Sequence, residues 1–121
     1  MNTTTRGSWG EEMACQHLIS QGYKILKRNF HSKCGEIDII AKDKNCIVFV
    51  EVKTRKNNLY GNASEFVTKS KQRKIILTAQ YYLRYCQETE MRFDVIEVYY
   101  FEKDEEMILK EINQIKNAFI C

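Results

Sequence analysis

The segment GEIDIIAKDKNCIVFVEVKTR, residues 35–55, constrains the fold more than any other stretch of the chain. Its second half is an apolar run rich in β-branched residues. Strand side chains alternate between faces. Ile47, Phe49, Glu51, Lys53 and Arg55 therefore share one face, and Cys46, Val48, Val50 and Val52 the other. Both faces begin apolar, which predicts a central strand covered on both sides. Glu51 and Lys53 emerge where the apolar run ends.

The surrounding pattern supplies the rest of an α/β domain. A first helix starts between residues 4 and 8 and ends near Gly22, a natural C-terminal stop. Strands follow at residues 23–31, 36–42 and 46–54, with KDKN as the turn between the second and third. Residues 55–66 read as a polar loop. Ile75, Ile76, Ala79, Leu83 and Cys86 keep helical spacing within a second helix over residues 68–87. Residues 91–101 form a fourth strand, apolar on both faces. Residues 107–115 suit an edge strand with a short irregular end, although Ile108, Ile112, Ile115 and Phe119 also suit a helix; the strand is favoured here. The result is a mixed sheet with helices packed on it. At 121 residues, without proline and with only five glycines, the chain reads as a single domain, 1–121, with no linker.

Composition excludes several classes. No apolar stretch approaches the roughly 20 residues that a membrane helix needs. The start of the chain, MNTTTRGSWGEE, lacks an apolar signal core. A cytoplasmic protein with no membrane segment is expected. The five cysteines are odd in number and form no C-x-x-C pair, so they read as free thiols. A zinc site from Cys34, Cys46, His17 and His31 fits no standard spacing and is set aside. Both histidines read as structural. The 19 basic and 16 acidic side chains leave a formal charge of +3, so the distribution of charge says more than its sum.

The chemistry gathers around the central hairpin. A turn at Asp43-Lys44 or Lys44-Asn45 has an even residue count and sets Asp38 on the same face as Glu51. Two carboxylates held together in a partly buried place require a proton, a lysine or a cation. Mg²⁺ takes oxygen ligands, often one or two carboxylates with water. A neighbouring Lys53 would steady negative charge on a phosphate. The plainer alternative is an ordinary hairpin in which Glu51 and Lys53 form cross-strand ion pairs. On the first helix, Glu11 lies on the stripe of Ala14, Cys15 and Leu18 and points toward the sheet, with Glu12 nearer the edge. Ser8 to Glu11 equally matches a capping box that closes the helix start.

The second helix begins with KSKQRK, a basic start that opposes the helix dipole unless an anion sits there. Lys69, Lys71 and Arg73 are candidate phosphate contacts, against the plainer reading of a solvated basic end. Gln72 shares a side with Lys69 and is expected to face the acids. Arg55, Lys56 and Tyr60 would extend the surface. Tyr81, Tyr82 and Tyr85 read as core or rim residues.

These segments together resemble a known family. Residues 35–55 closely resemble the hallmark segment of the YraN family of small bacterial proteins. WGEEMACQHLISQGYKILKRN at 9–29, YGNASEFVTKSKQRK at 60–74, RFDVIEV at 92–98 and NAF at 117–119 also match, so the resemblance spans nearly the whole chain. That family is similar to the PD-(D/E)XK nucleases, near Holliday-junction resolvases and restriction endonucleases. The resemblance implies a restriction endonuclease-like αβββαβ core with a mixed central sheet flanked by helices, in agreement with the order read above. It implies Asp38 and Glu51 as metal ligands, Glu11 as a further ligand, Lys53 as the catalytic lysine, and Mg²⁺ or Mn²⁺ as cofactor. Gln72 follows Ser70-Lys71 as a resolvase-like helix polar residue would. Asp38 follows Ile37 where the superfamily name carries proline. The implied function is metal-dependent cleavage of DNA phosphodiester bonds in recombination or DNA processing. The alternative is a nucleic-acid binding or partner-recruiting module of the same fold without turnover. Resolvases often act as dimers because they cut two strands, so a homodimer is a further expectation.

Overall fold

A computed structural model describes residues 3–56, 67–84, 86 and 90–120. Residues 57–66 of the expected loop, with Tyr60, lie outside the described residues, as do Tyr85, Gln87 and Cys121. The elements are α1 (Thr3–Ser20), β1 (Lys24–Ser32), β2 (Gly35–Asp43), β3 (Cys46–Lys56), α2 (Lys69–Leu83), β4 (Glu90–Lys103) and β5 (Glu106–Phe119).

The strands form one sheet in the order β1-β2-β3-β4-β5, with β3 at its centre as its two apolar faces demand. β3 and β4 run parallel, joined through α2, and the other neighbours run antiparallel. Each helix covers one face. Ala14, Cys15 and Leu18 of α1 pack with Ile39, Ala41, Val48, Val50, Ile96 and Val98. Ile75 and Ala79 of α2 pack with Ile37, Ile40, Ile47, Phe49, Phe93 and Val95. The alternation along β3 thus feeds two separate cores. Among the described residues, no helix is long and apolar enough to cross a membrane.

Helix ends follow local chemistry. Gly22 adopts φ +91°, Tyr23 N–H donates to Leu18 O, and Gly22 N–H donates to Ile19 O. This pair of bonds closes α1 where a left-handed glycine is expected. The capping box at Ser8 is corrected: α1 starts at Thr3, so Ser8 and Glu11 lie inside the helix. Gly10 has another purpose. A Cβ there would lie 1.8 Å from Thr54 Oγ1, so the glycine lets the α1 backbone approach β3. Thr68 is the N-cap of α2, and its hydroxyl accepts from Lys71 N–H. The helix stops at Leu83, short of the expected Gln87, with Arg84 as its C-cap.

β5 is a full strand through Phe119 rather than a short one with an irregular end. A buried acid explains its length. Asp94 is 1% exposed, and its carboxylate accepts from Arg92 Nε, Gln114 Nε2 and the backbone N–H of Asn117. Arg92 also donates to Asp43 and to the Tyr23 hydroxyl. One carboxylate therefore ties the end of β5 to β4, and its arginine partner extends the tie to β2 and to Tyr23 in the link between α1 and β1.

Candidate functional site

The β2–β3 turn is Lys44-Asn45, with Lys44 at φ +55°, and Asp43 pairs with Cys46. This even turn sets Asp38 opposite Glu51, one step beyond Ile39–Val50, where the paired ladder ends. Past that point Asp38 bonds through its side chain: its Oδ2 accepts the Val52 N–H at 2.8 Å. Glu51 is 6% exposed. From the first turn of α2, Lys71 places its Nζ 2.7 Å from Glu51 Oε1.

The acids perturb one another. Burial, then the charge of Glu51, pushes the Asp38 pKa up to about 7, against the opposing hydrogen bond from Val52. Burial also raises Glu11, whose carboxylate accepts from the Asn29 side chain and feels the charges of Glu36 and Glu51. Burial pulls the Lys71 ammonium down, but the hydrogen bond and charge of Glu51, with Asp38 and Glu36, outweigh it and raise its pKa. Three acids and one ammonium thus share a field at the end of the central hairpin. A cleft of about 300 Å³ opens beside them, lined by Gly35, Glu36, Ser70, Lys71 and Lys74 among others.

The remaining candidates divide. Lys53 stands two residues beyond Glu51, half-buried, and makes no ion pair among the described residues. Lys69 and Arg73 are exposed on α2. Gln72 does not face the acids: its amide donates to Val67 O at 2.8 Å, because the backbone entering α2 leaves that carbonyl within reach. Arg55 is largely buried and pairs with Glu97, 3.6 Å away. Its charge is engaged within the fold rather than offered to solvent. Lys71, expected on phosphate, is engaged with Glu51. Tyr82 stacks edge-on against Phe30 and Phe49, a core position. His17 bonds Gln114, and His31 pairs with Glu36.

Two buried acids escaped the sequence reading, Asp94 and Glu97, both within the nominally apolar run of β4. Acids inside a two-sided apolar strand were the available signal. Glu97 pairs in register with Lys53 and accepts from Asn113 Nδ2.

Among the described residues, no group of three or more His, Cys, Asp or Glu side chains is placed to hold a metal ion. The Asp38–Glu51 pair nevertheless suits one. Both offer hard oxygen donors, and the pKa of Asp38 is raised by burial and by the charge of Glu51, a cost that a bound cation would lower. Two carboxylates completed by water satisfy Mg²⁺. For Glu11 to join them, its carboxylate must leave Asn29.

The architecture and the acid-rich end of the central hairpin define a mixed α/β domain of αβββαββ order. The chain belongs to the uncharacterised protein family UPF0102, whose model matches residues 10–98. The matched span contains Glu11, Asp38, Glu51, Lys53 and Lys71 and bears out the family resemblance. A UPF0102 protein of Caldicellulosiruptor saccharolyticus is 48% identical over 98% of this chain and 100% of its own length. One from Caldanaerobacter subterraneus subsp. tengcongensis is 49% identical, over 98% of each chain. One from Clostridioides difficile is 47% identical, over 98% of this chain and 100% of its own.

Proposed function

We propose that this protein is a Mg²⁺- or Mn²⁺-dependent endonuclease that cleaves DNA phosphodiester bonds in recombination or DNA processing. The observation that carries the reading is the half-buried Asp38 set beside the buried Glu51, one step past the end of the β2–β3 ladder, with Lys53 two residues further on. Asp38 and Glu51 would hold the cation. A divalent ion bound there supplies Lewis-acid polarisation of a phosphate and neutralises its charge. The Val52 N–H keeps one Asp38 oxygen in place. Lys53, free of an ion pair among the described residues, steadies the negative charge that grows on the phosphate. Hydrolysis adds one water across the phosphodiester and leaves a phosphomonoester and a hydroxyl end.

The test is cleavage of labelled duplex, single-stranded, flap and four-way-junction DNA in Mg²⁺ and in Mn²⁺. Asp38→Asn, Glu51→Gln and Lys53→Met, each checked for folding, are expected to lower the rate by about 10²-fold or more. Cutting that persists in all three variants is a contaminant and refutes the proposal. Binding without cutting by the wild type would instead support a nucleic-acid binding module of the same fold.

A further inference from the structure

We infer that Lys71 is the resident counter-cation of the acid pair and that a divalent cation must displace it from Glu51 in order to bind. The inference rests on the proposed metal-dependent reading of the site. Its starting point is the short contact between Lys71 Nζ and Glu51 Oε1, 2.7 Å.

A buried carboxylate needs a compensating charge. Glu51 is on the central strand, and its side chain is 7% exposed. Lys71 is the opposite kind of partner. Its side chain is 45% exposed and sits on a flexible four-carbon stem. When the pair separates, the ammonium moves into water and the carboxylate stays. The lysine also occupies the first turn of α2, where a cation opposes the helix dipole and no acid is present. Its position there is explained by Glu51, not by the helix.

An ammonium at hydrogen-bonding distance and a divalent ion compete for the same carboxylate oxygen, and their charges repel. Loading the site therefore requires Lys71 to swing away. The cleft it lines with Ser70, Lys74 and Glu36 gives the side chain room to do so. In the metal-free protein Lys71 holds the acid pair together. In the loaded protein it becomes a free cation beside Lys74, at the mouth of the cleft. Cation binding and release of this side chain are one coupled step.

The experiment is titration of the full chain with Mn²⁺, followed by the electron paramagnetic resonance signal of the free ion and by calorimetry, at constant pH and salt. Wild type is compared with Lys71→Met, Lys71→Gln, Lys71→Arg and Lys74→Met. The Lys74 variant removes the same charge without touching Glu51. Lys71→Met is expected to bind Mn²⁺ about tenfold more tightly than wild type, Lys74→Met within about threefold, and Lys71→Arg close to wild type. If Lys71→Met does not fold, Lys71→Gln keeps a hydrogen-bond donor and is expected to show the same gain. A larger Mn²⁺-induced rise in Tm for the Lys71→Gln variant than for wild type is the independent readout. Equal or weaker Mn²⁺ binding by the folded Lys71→Met and Lys71→Gln variants overturns the inference and leaves the metal site standing. So does an equal gain in Lys74→Met, which reduces the effect to general charge. No Mn²⁺ binding by any folded protein overturns the metal-dependent reading itself, and this inference with it.

Discussion

Asp38 is pulled in two directions, by burial and Glu51 toward holding a proton and by the Val52 N–H toward losing it, and its pKa lies at about 7. In the unfolded chain an aspartate titrates near 3.9. Between these values the folded chain holds a proton that the unfolded chain has released. This contribution to stability is fully present below about pH 4 and is lost as pH rises through about 7. Asp38→Asn keeps an oxygen to accept from Val52 and carries no charge at any pH. In EDTA at pH 8 it is expected to be more stable than wild type by about 2–4 kcal/mol, with the gap closing toward pH 4. Urea unfolding at several pH values reads this directly, and parallel curves for the two proteins would refute it. At this scale the acid pair was legible in the sequence, because turn parity alone sets Asp38 on the same face as Glu51. The roles of Lys71 and Gln72 were not. Helical spacing says which side of α2 each leaves from, but not that one reaches Glu51 and the other turns back to Val67.

The central element, β3, was legible because both of its faces are apolar, and its neighbours followed from turns and periodicity. Near the start of α1, the capping-box alternative fails for a physical reason. Ser8 to Glu11 has the residues of a cap, but Gly10 is required by packing against β3, a contact over forty residues away in sequence and invisible to local pattern. Gly10→Ala tests this. Alanine favours an isolated helix over glycine by about 1 kcal/mol. Here its methyl would meet Thr54 Oγ1 at 1.8 Å and Thr54 Cβ at 2.9 Å, so something must shift. A net loss of about 1–3 kcal/mol is expected, seen as a lower Tm. Thr54→Ala in the same chain should recover most of it, because the two sites touch and their effects do not add. A Gly10→Ala protein as stable as wild type would show that α1 can slide off Thr54 at no cost. The length of β5 was hidden in the same way. Asp94 anchors Gln114 and Asn117 from another strand, and no property of residues 107–119 alone announces it.

Across the described residues, some positive charges are already paired and others face water, and this difference bears on which could meet a nucleic acid. Arg55 is matched to Glu97 and Arg92 to Asp94 and Asp43, while Lys69 and Arg73 stand exposed on α2. Each phosphate contact adds about 0.7–0.9 to the slope of log K against log salt. Affinity for labelled DNA, measured across salt concentrations in EDTA so that no cutting occurs, separates the two groups. Lys69→Ala and Arg73→Ala are each expected to lower the slope by about that amount while leaving Tm unchanged. Arg55→Ala is expected to leave the slope unchanged and lower Tm, because it strips the buried Glu97 of an ion-pair partner. If Arg55→Ala lowers the slope with Tm intact, the Arg55–Glu97 pair opens in the complex and the binding face extends from α2 across the end of β3. If neither α2 variant changes the slope, the basic start of α2 is a solvated helix end, and DNA would have to approach by another face of the sheet.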